Sequence, residues 1–524
     1  MHNALEIDEI ILAILQYVKS SKKDMISVAM TCSKFSDYAL NMLWREQSDL
    51  APLIMCLPLD TWRTHVGTIV FSREPLLAEW ERVRINAARI RRLDVKNHRR
   101  FRTPPVPSVP VLQRLFELFP PATLFPKLCT LHFHAVSRLP QFRSNFVLLR
   151  QFFLPGLETL KFDVPVDVPT PEVEQLLGAL SAEASGLRQL VITAGQGRSA
   201  CRFTVPELPK LTHLSINGFD GGPMRQNIIN IQNSRCLHTL TLIMHGPFNM
   251  NASSGDMPLE LSTLERLSLA CSRLRDCTSF LLQVATPHLS AIDIKYSTGT
   301  YKAETTTTSF IETLAASCRT SASLETITVA DISPSHQRGP ETDSQLHSHV
   351  FRPLLQFRRL SSVNFFDVGT YCLDDAFIED IAIAWPGLRE LRFSSVRLET
   401  SDVTFAAMLS LASKCRSLRS LQLTFNATQF PTLPYAPDGN QELWPTQTAL
   451  RNLHVGHSTV SAASRFNLFL SVMFPNLARY ARFGSGNNDE WRELEESWRQ
   501  LLKERETSPA MVATWRDFLL QPQP

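Results

Sequence analysis

The fold class predicted by the sequence is α/β: a solenoid whose curved parallel β-sheet carries helices on its convex side, preceded by a small all-α unit. Three observations lead there. One short apolar pattern recurs through most of the chain, segments of helical spacing separate its copies, and roughly the first forty-five residues show helical periodicity without that pattern.

The recurring pattern reads apolar, two variable, apolar, one variable, apolar. Clear copies are Leu128-Cys-Thr-Leu131-His-Phe133, Leu157-Glu-Thr-Leu160-Lys-Phe162, Leu187-Arg-Gln-Leu190-Val-Ile192, Leu211-Thr-His-Leu214-Ser-Ile216 and Leu237-His-Thr-Leu240-Thr-Leu242. Further copies begin at Leu264, Leu289, Leu324, Leu360, Leu388, Leu418 and Leu450, and Ile90-Arg-Arg-Leu93-Asp-Val95 and Leu477-Ala-Arg-Tyr480 stand at the two ends. Successive starts lie 24 to 38 residues apart. The last two apolar positions are two apart, the period of a strand whose alternate side chains point inward. Phe310 to Cys318 and Phe405 to Cys415 show helical spacing between copies. A strand plus a helix at this spacing is the leucine-rich repeat, whose units bury their leucines only by stacking. The asparagine that often follows the strand is mostly absent. The two longest gaps hold Thr305 to Thr308 and Ser333 to Pro340, which read as loop insertions. Cys236, Cys318 and Cys415, each at or near the start of a copy, read as buried structural thiols.

Ahead of the repeats, Ile7, Ile10, Ile11, Ile14, Leu15 and Val18 place a broad apolar face on a helix from about Asp8. Lys22-Lys23-Asp24 breaks the run, Asp24 is suited to cap a second helix, and Ser36 a third that runs to Trp44. So small a unit buries too little surface to be stable alone, so it is expected to lean on a partner. The stretch from Leu5 to Val18, with Val28-Ala-Met-Thr-Cys32-Ser-Lys-Phe35 and Leu43-Trp44-Arg45, resembles an F-box of the form common in fungal proteins, with Asp8 where the family usually has proline.

That resemblance implies an F-box protein with leucine-rich repeats, a substrate receptor of the cullin-RING (SCF-type) ubiquitin ligases. The helical unit would dock on the Skp adaptor, and through it a cullin, while the repeats hold a protein target. Carried over, the adaptor-facing residues are Leu5, Ile7, Ile10, Ile11, Ile14, Leu15 and Trp44. The expected domains are an F-box at 1–48, a helical connection at 49–89, a repeat solenoid at 90–484 and a helical cap at 485–524, the last from Trp491, Leu494, Trp498, Leu501, Leu502, Trp515, Phe518 and Leu519. The competing reading is a stand-alone repeat scaffold whose N-terminal helices only cap the solenoid.

Strand alternation puts His132, His134, Lys161, Asp163, His213, Asn217, Arg266, Asp293, Asn364 and Arg392 on the concave face. That face is polar and nearly neutral, which suits a protein held over a wide area. His132 and His134 read as exposed contact residues, not zinc ligands, for no carboxylate or thiol follows nearby. Nine Lys/Arg fall between Arg82 and Arg102, and they read as a solvated edge running into the proline-rich stretch Thr103 to Pro110.

Composition narrows the rest. The 524 residues are 44% hydrophobic and 20% charged with a net charge of +3, which excludes a disordered chain and a global field for nucleic acid or membrane. Ten cysteines without a Cys-x-x-Cys pair argue against a disulfide scaffold or zinc site. No run approaches a membrane span, and the acidic start is unlike a secretory signal. No motif for nucleotide, metal or nucleophilic chemistry occurs. The expectation is a non-enzymatic intracellular protein, cytoplasmic or nuclear, without cofactor or metal, monomeric within its complex.

Overall fold

The computed structural model describes residues 7–96, 105–134, 146, 148–165, 168–194, 203–219, 224–244, 258–297, 303–318, 323–333, 345–396, 401–429, 445–460, 463–481 and 496–503. Residues 1–249 and 250–524 form two compact units.

The first unit opens with three helices, α1 (Asp8–Val18), α2 (Lys22–Ala29) and α3 (Ser33–Arg45). Their shared core is Ile11, Leu15, Met25 and Ala39, with Val18, Val28, Phe35, Tyr38 and Leu43 packed against it. The helix starts differ from expectation. Ser21, not Asp24, caps α2, its hydroxyl accepting from the Asp24 amide at 3.2 Å, so both lysines lie inside the helix. Cys32, not Ser36, precedes α3, and Ser36 sits in its first turn with its amide bonded to the Cys32 carbonyl.

Strands follow: β1 (Glu46–Gln47), β2 (Trp62–His65), β3 (Thr68–Phe71), β4 (Arg92–Lys96), β5 (Val106–Pro107), β6 (Thr130–His134), β7 (Thr159–Val164), β8 (Gln189–Ala194), β9 (His213–Phe219) and β10 (Thr239–Met244). The sheet order is β1-β4-β6-β7-β8-β9-β10, every neighbouring pair parallel. The sheet thus starts one strand before the first recognisable copy. β1 has no apolar pattern of its own and is recruited by β4, Glu46 opposite Arg92. The connection read as helical also carries the antiparallel β2–β3 hairpin, whose turn places Val66 and Gly67 at φ 47° and 74°. That is the left-handed pair a two-residue turn needs, met here by valine instead of the usual asparagine.

In the second unit β12 (Arg266–Cys271), β14 (Ala291–Tyr296), β15 (Thr326–Asp331), β17 (Ser362–Phe366), β19 (Glu390–Ser394), β20 (Ser420–Gln422), β22 (Asn452–His454) and β24 (Arg479–Ala481) are parallel in that order. Three further two-stranded parallel ladders join β11 (Leu259–Glu260) with β13 (Val284–Ala285), β16 (Gln345–His347) with β18 (Thr370–Cys372), and β21 (Asn426–Ala427) with β23 (Thr459–Val460). All fourteen predicted copies are strands, each starting two residues after its opening leucine or isoleucine. The fold is an α/β leucine-rich-repeat solenoid.

Two backbone devices repeat. The opening leucine donates its N–H to a carbonyl three residues upstream, as Leu128 does to Phe125, Leu187 to Ala184 and Leu388 to Trp385. Then one carbonyl accepts two N–H groups from the next repeat: Arg91 from Cys129 and Thr130, Cys129 from Glu158 and Thr159, Glu158 from Arg188 and Gln189. The second unit runs the same series through Glu265, Ser290, Glu325, Ser361, Arg389 and Arg419. Between them the inward leucines Leu131, Leu160, Leu190, Leu240 and Leu391 are fully buried. Each contributes about 1.5–3 kcal/mol by leaving water.

Thr305 to Thr308, read as a loop, belong to the helix Ala303–Ser317. Thr307, Phe310, Ile311 and Leu314 are buried there, and burial on one face overrides the weak helix preference of threonine. Residues 334–340, the other expected insertion, lie outside the described residues. Cys318 and Cys415 are buried as expected, but Cys236 is exposed because the buried small residue of that turn is Ser234, whose carbonyl serves Leu237. Of the expected cap, Trp498 is buried with its ring 5.5 Å from Tyr480 of β24. Trp491, Leu494, Trp515, Phe518 and Leu519 lie outside the described residues.

The copy at Leu450 departs from the rule. Its amide donates 2.8 Å to the Gln447 side-chain carbonyl, while the Gln447 amide nitrogen donates to the carbonyls of Cys415 and Leu418 at 3.2 and 2.7 Å. A buried glutamine therefore closes a turn that elsewhere the backbone closes alone. Gln447→Leu keeps the volume and strands two backbone groups, the Leu450 N–H and the Leu418 carbonyl, while the Cys415 carbonyl keeps its bond from the Leu418 amide, which predicts a loss of about 2 kcal/mol. Urea unfolding should show a lower midpoint for it than for the parent.

Candidate functional site

Two surfaces carry the residues singled out by sequence. The first is the helical unit. α1 has two apolar stripes: Ile11 and Leu15 are fully buried with Val18 beside them, whereas Ile7, Ile14 and Tyr17 are exposed and Ile10 is half-buried. Ile11 and Leu15 are therefore core and have no surface to offer a partner, which corrects their assignment as contact residues. Trp44 is half-buried, and Leu5 lies outside the described residues. Sequence reasoning missed Ile26 and Met30, both exposed, Met30 at 83% and Tyr17 at 89%. The available signal was arithmetic: on a helix, positions 10, 14 and 17 share a stripe about 100° from that of 11, 15 and 18, and Ile7 precedes the helix in extended conformation.

This unit is joined to the sheet without slack. The Arg45 carbonyl, at the end of α3, accepts from the Arg91 amide at 2.9 Å, and Arg89 Nη2 is paired with Asp37 of α3 at 3.0 Å. Arg84 is paired with Glu81 at 2.8 Å. Part of the basic stretch is thus spent on internal ion pairs, while Arg99, Arg100 and Arg102 lie outside the described residues.

The second surface is the polar face of the strands. In the first unit it holds a charged cluster on β4, β6 and β7. His132 Nδ1 lies 2.8 Å from Asp94 and 3.3 Å from Arg92 Nη2. One nitrogen cannot donate to the carboxylate and accept from the guanidinium, and the shorter, charge-assisted contact decides: Nδ1–H donates to Asp94, leaving Nε2 as the acceptor. His134 Nδ1 faces Asp163 at 3.1 Å, and the two rings stand edge to face 6.3 Å apart. His132 is buried, which corrects the expectation that it is exposed; it stands between β4 and β7, opposite Asp94 and Lys161 in register. Burial pushes its imidazole below the ordinary value, opposed by Asp94 and helped by Arg92 and Lys161. His134, Lys161, Asp163 and Asn217 are half-buried and His213 is exposed. The functional partner that sequence reasoning missed is Asp94, visible once alternation is extended to the first copy.

In the second unit the same face is a hydrogen-bonded net. Asp293 accepts from Ser268 at 3.1 Å and pairs with Lys295 at 3.0 Å. Glu390 accepts from Ser362 at 2.8 Å and from the buried Asn364 at 3.3 Å, and pairs with Arg392. Arg392 also donates to Ser420 and lies 6.0 Å from the Phe366 ring centre. Asn364 Oδ1 is buried without a partner among the described residues. Arg266 is exposed. Among the described residues no group of three His, Cys, Asp or Glu is placed to hold a metal, and no helix is long and apolar enough to cross a membrane. These charges and amides present hydrogen-bond donors and acceptors in alternation along the strands.

No family model matches the chain, and no curated protein matches it. Among solved structures it is similar to a leucine-rich-repeat protein of Leptospira interrogans at 12% identity and a TM-score of 0.30, over 69% of this chain and 73% of that one. It is also similar to a protein of Bacteroides fragilis at 14% identity and a TM-score of 0.25, over 51% of this chain and 68% of that one.

The histidine cluster sets a pH dependence. The folded protein keeps His132 neutral at pH values where the unfolded chain is already protonating, so this contribution is complete above the ordinary value of 6.5 and is lost as pH falls below it. Asp49 acts oppositely. Burial pushes its carboxyl up to about 6 from 3.8, so folding gains as pH falls through that window. Asp49 is common to the parent and to His132→Gln and cancels in their difference. Between pH 7 and 5.5 the stability of His132→Gln should fall less steeply than that of the parent, measured by urea midpoints at each pH.

Proposed function

We propose that this chain is the substrate-recognition subunit of an SCF-type ubiquitin ligase, its helical unit docking on a Skp-type adaptor and its repeats holding a protein target. The observation that carries the reading is the set of apolar side chains left uncovered on the helical unit: Ile7, Ile14, Tyr17, Ile26 and Met30. A unit whose core is Ile11, Leu15, Met25 and Ala39 gains nothing from them in water, and an amphipathic helical face of this kind is what helix-in-groove contacts use. The resemblance of residues 5–45 to an F-box names the occupant. Catalysis belongs to partner subunits. The contribution of this chain is position, raising the local concentration of the target beside the charged ubiquitin carrier. Rigid attachment serves that role, and the Arg45–Arg91 and Asp37–Arg89 contacts supply it within the first unit.

A second reading, a stand-alone protein-binding scaffold, is favoured by one feature: α3 runs directly into β1, the first strand of the sheet, so the helices adjoin the sheet in the chain. Binding to the adaptor separates the two. The purified chain is expected to retain a Skp-type adaptor in a pull-down, and Ile7→Asp with Ile14→Asp, at unchanged helicity by circular dichroism, to weaken it at least about tenfold. Failure of the folded parent to bind at micromolar concentration would leave the scaffold reading.

A further inference from the structure

We propose that Cys271 and Cys277 are a modification site: a thiol pair that a small hydroperoxide converts into a reversible disulfide within the second unit. Cys271 is the last residue of β12, and Cys277 lies in the helix Leu274–Gln283 that follows. Their sulfurs are 3.0 Å apart, with the Cys277 S–H donating to Cys271 Sγ. A disulfide needs about 2 Å, so closing the bond asks for a movement of roughly 1 Å. The bend at Ser272 and Arg273 and the first turn of the helix already bring the pair together, so no change of fold is needed.

Burial decides which oxidant fits. Both residues are buried, and desolvation together with the neighbouring sulfur holds the Cys277 thiol well above its ordinary range. Cys277 therefore stays a thiol, and bulky or charged disulfides cannot reach the buried pair for exchange. Hydrogen peroxide is small and neutral. In the first step Cys271 sulfur, the acceptor of the hydrogen bond, gives up its own proton and attacks a peroxide oxygen as the thiolate; the O–O bond breaks, the departing hydroxide takes up that proton and leaves as one water, and a sulfenic acid remains. In the second, Cys277 sulfur attacks the sulfenic sulfur, the S–O bond breaks and a second water leaves. Two thiols are oxidised and one peroxide is reduced to two waters.

The test uses the full chain. After treatment with hydrogen peroxide, quenching, alkylation in denaturant and tryptic digestion, residues 267–273 and 276–295 should appear as one linked peptide, lighter by two hydrogens than the pair of free peptides. Dithiothreitol should separate them, and Cys277→Ser should abolish the link. The parent alone is decisive should that variant misfold. Recovery of both cysteines alkylated, under conditions that oxidise the exposed Cys236, would overturn the proposal, as would a link from Cys271 to any other cysteine.

Discussion

One backbone carbonyl per repeat, shared by two N–H groups of the repeat that follows, sets the spacing of everything else. It fixes where each strand starts, two residues after its opening leucine, and so determines that the next apolar residue points inward. A carbonyl has two lone pairs, so the arrangement satisfies both donors where the chain turns into the strand, a place that would otherwise bury an unpaired group. The leucines supply the larger free energy, but burial is non-directional and would tolerate a slip of register. The shared carbonyl does not tolerate it. Arg45 stands one step earlier in this line, offering its carbonyl to Arg91 alone.

The strands were legible because two independent periods coincide: alternation within each copy and recurrence between copies. What lay between them was less so. The threonine run became helix because its buried face, with Thr307 and Phe310, is decided by the neighbouring packing and not by local preference. The hairpin at Val66-Gly67 was missed because valine is a poor signal for a left-handed turn, and β1 because two polar residues joined to a partner strand leave no pattern at all. Cap positions shifted by three and by four residues for a related reason. Several residues near a helix start can stand at the cap, and the chain delivers Ser21 and Cys32 there in extended conformation, Ser21 accepting from a free amide and Cys32 without a side-chain cap bond.

The polar face was legible in position but not in partnership. Alternation placed His132, Lys161 and Asn364 on it, yet their burial follows from what stands on adjacent strands, and that depends on register across copies separated by unequal lengths. His132 is enclosed because Asp94 and Lys161 fall opposite it, and Asn364 because Thr328 and Arg392 do, while its amide nitrogen donates to Ser362 on its own strand and to Glu390 on the next. A reader of one copy at a time sees an exposed histidine; a reader of three in register sees a buried one with its proton fixed.

The helical unit poses the inverse problem. Periodicity marks a broad apolar face on α1 without separating its two halves, and only the position of α3 decides which half becomes core. Packing of α3 consumes the stripe of Ile11 and Leu15 and leaves that of Ile14 and Tyr17, with Ile7 ahead of the helix. Had the helices served the sheet alone, polar residues at the second stripe would have cost nothing in folding and helped solubility. Isoleucine and tyrosine there do neither. They are the side chains that the proposed adaptor contact would cover, and the polar Gln16, Lys19 and Lys23 nearby show that the chain also places charge and amide groups on these helices.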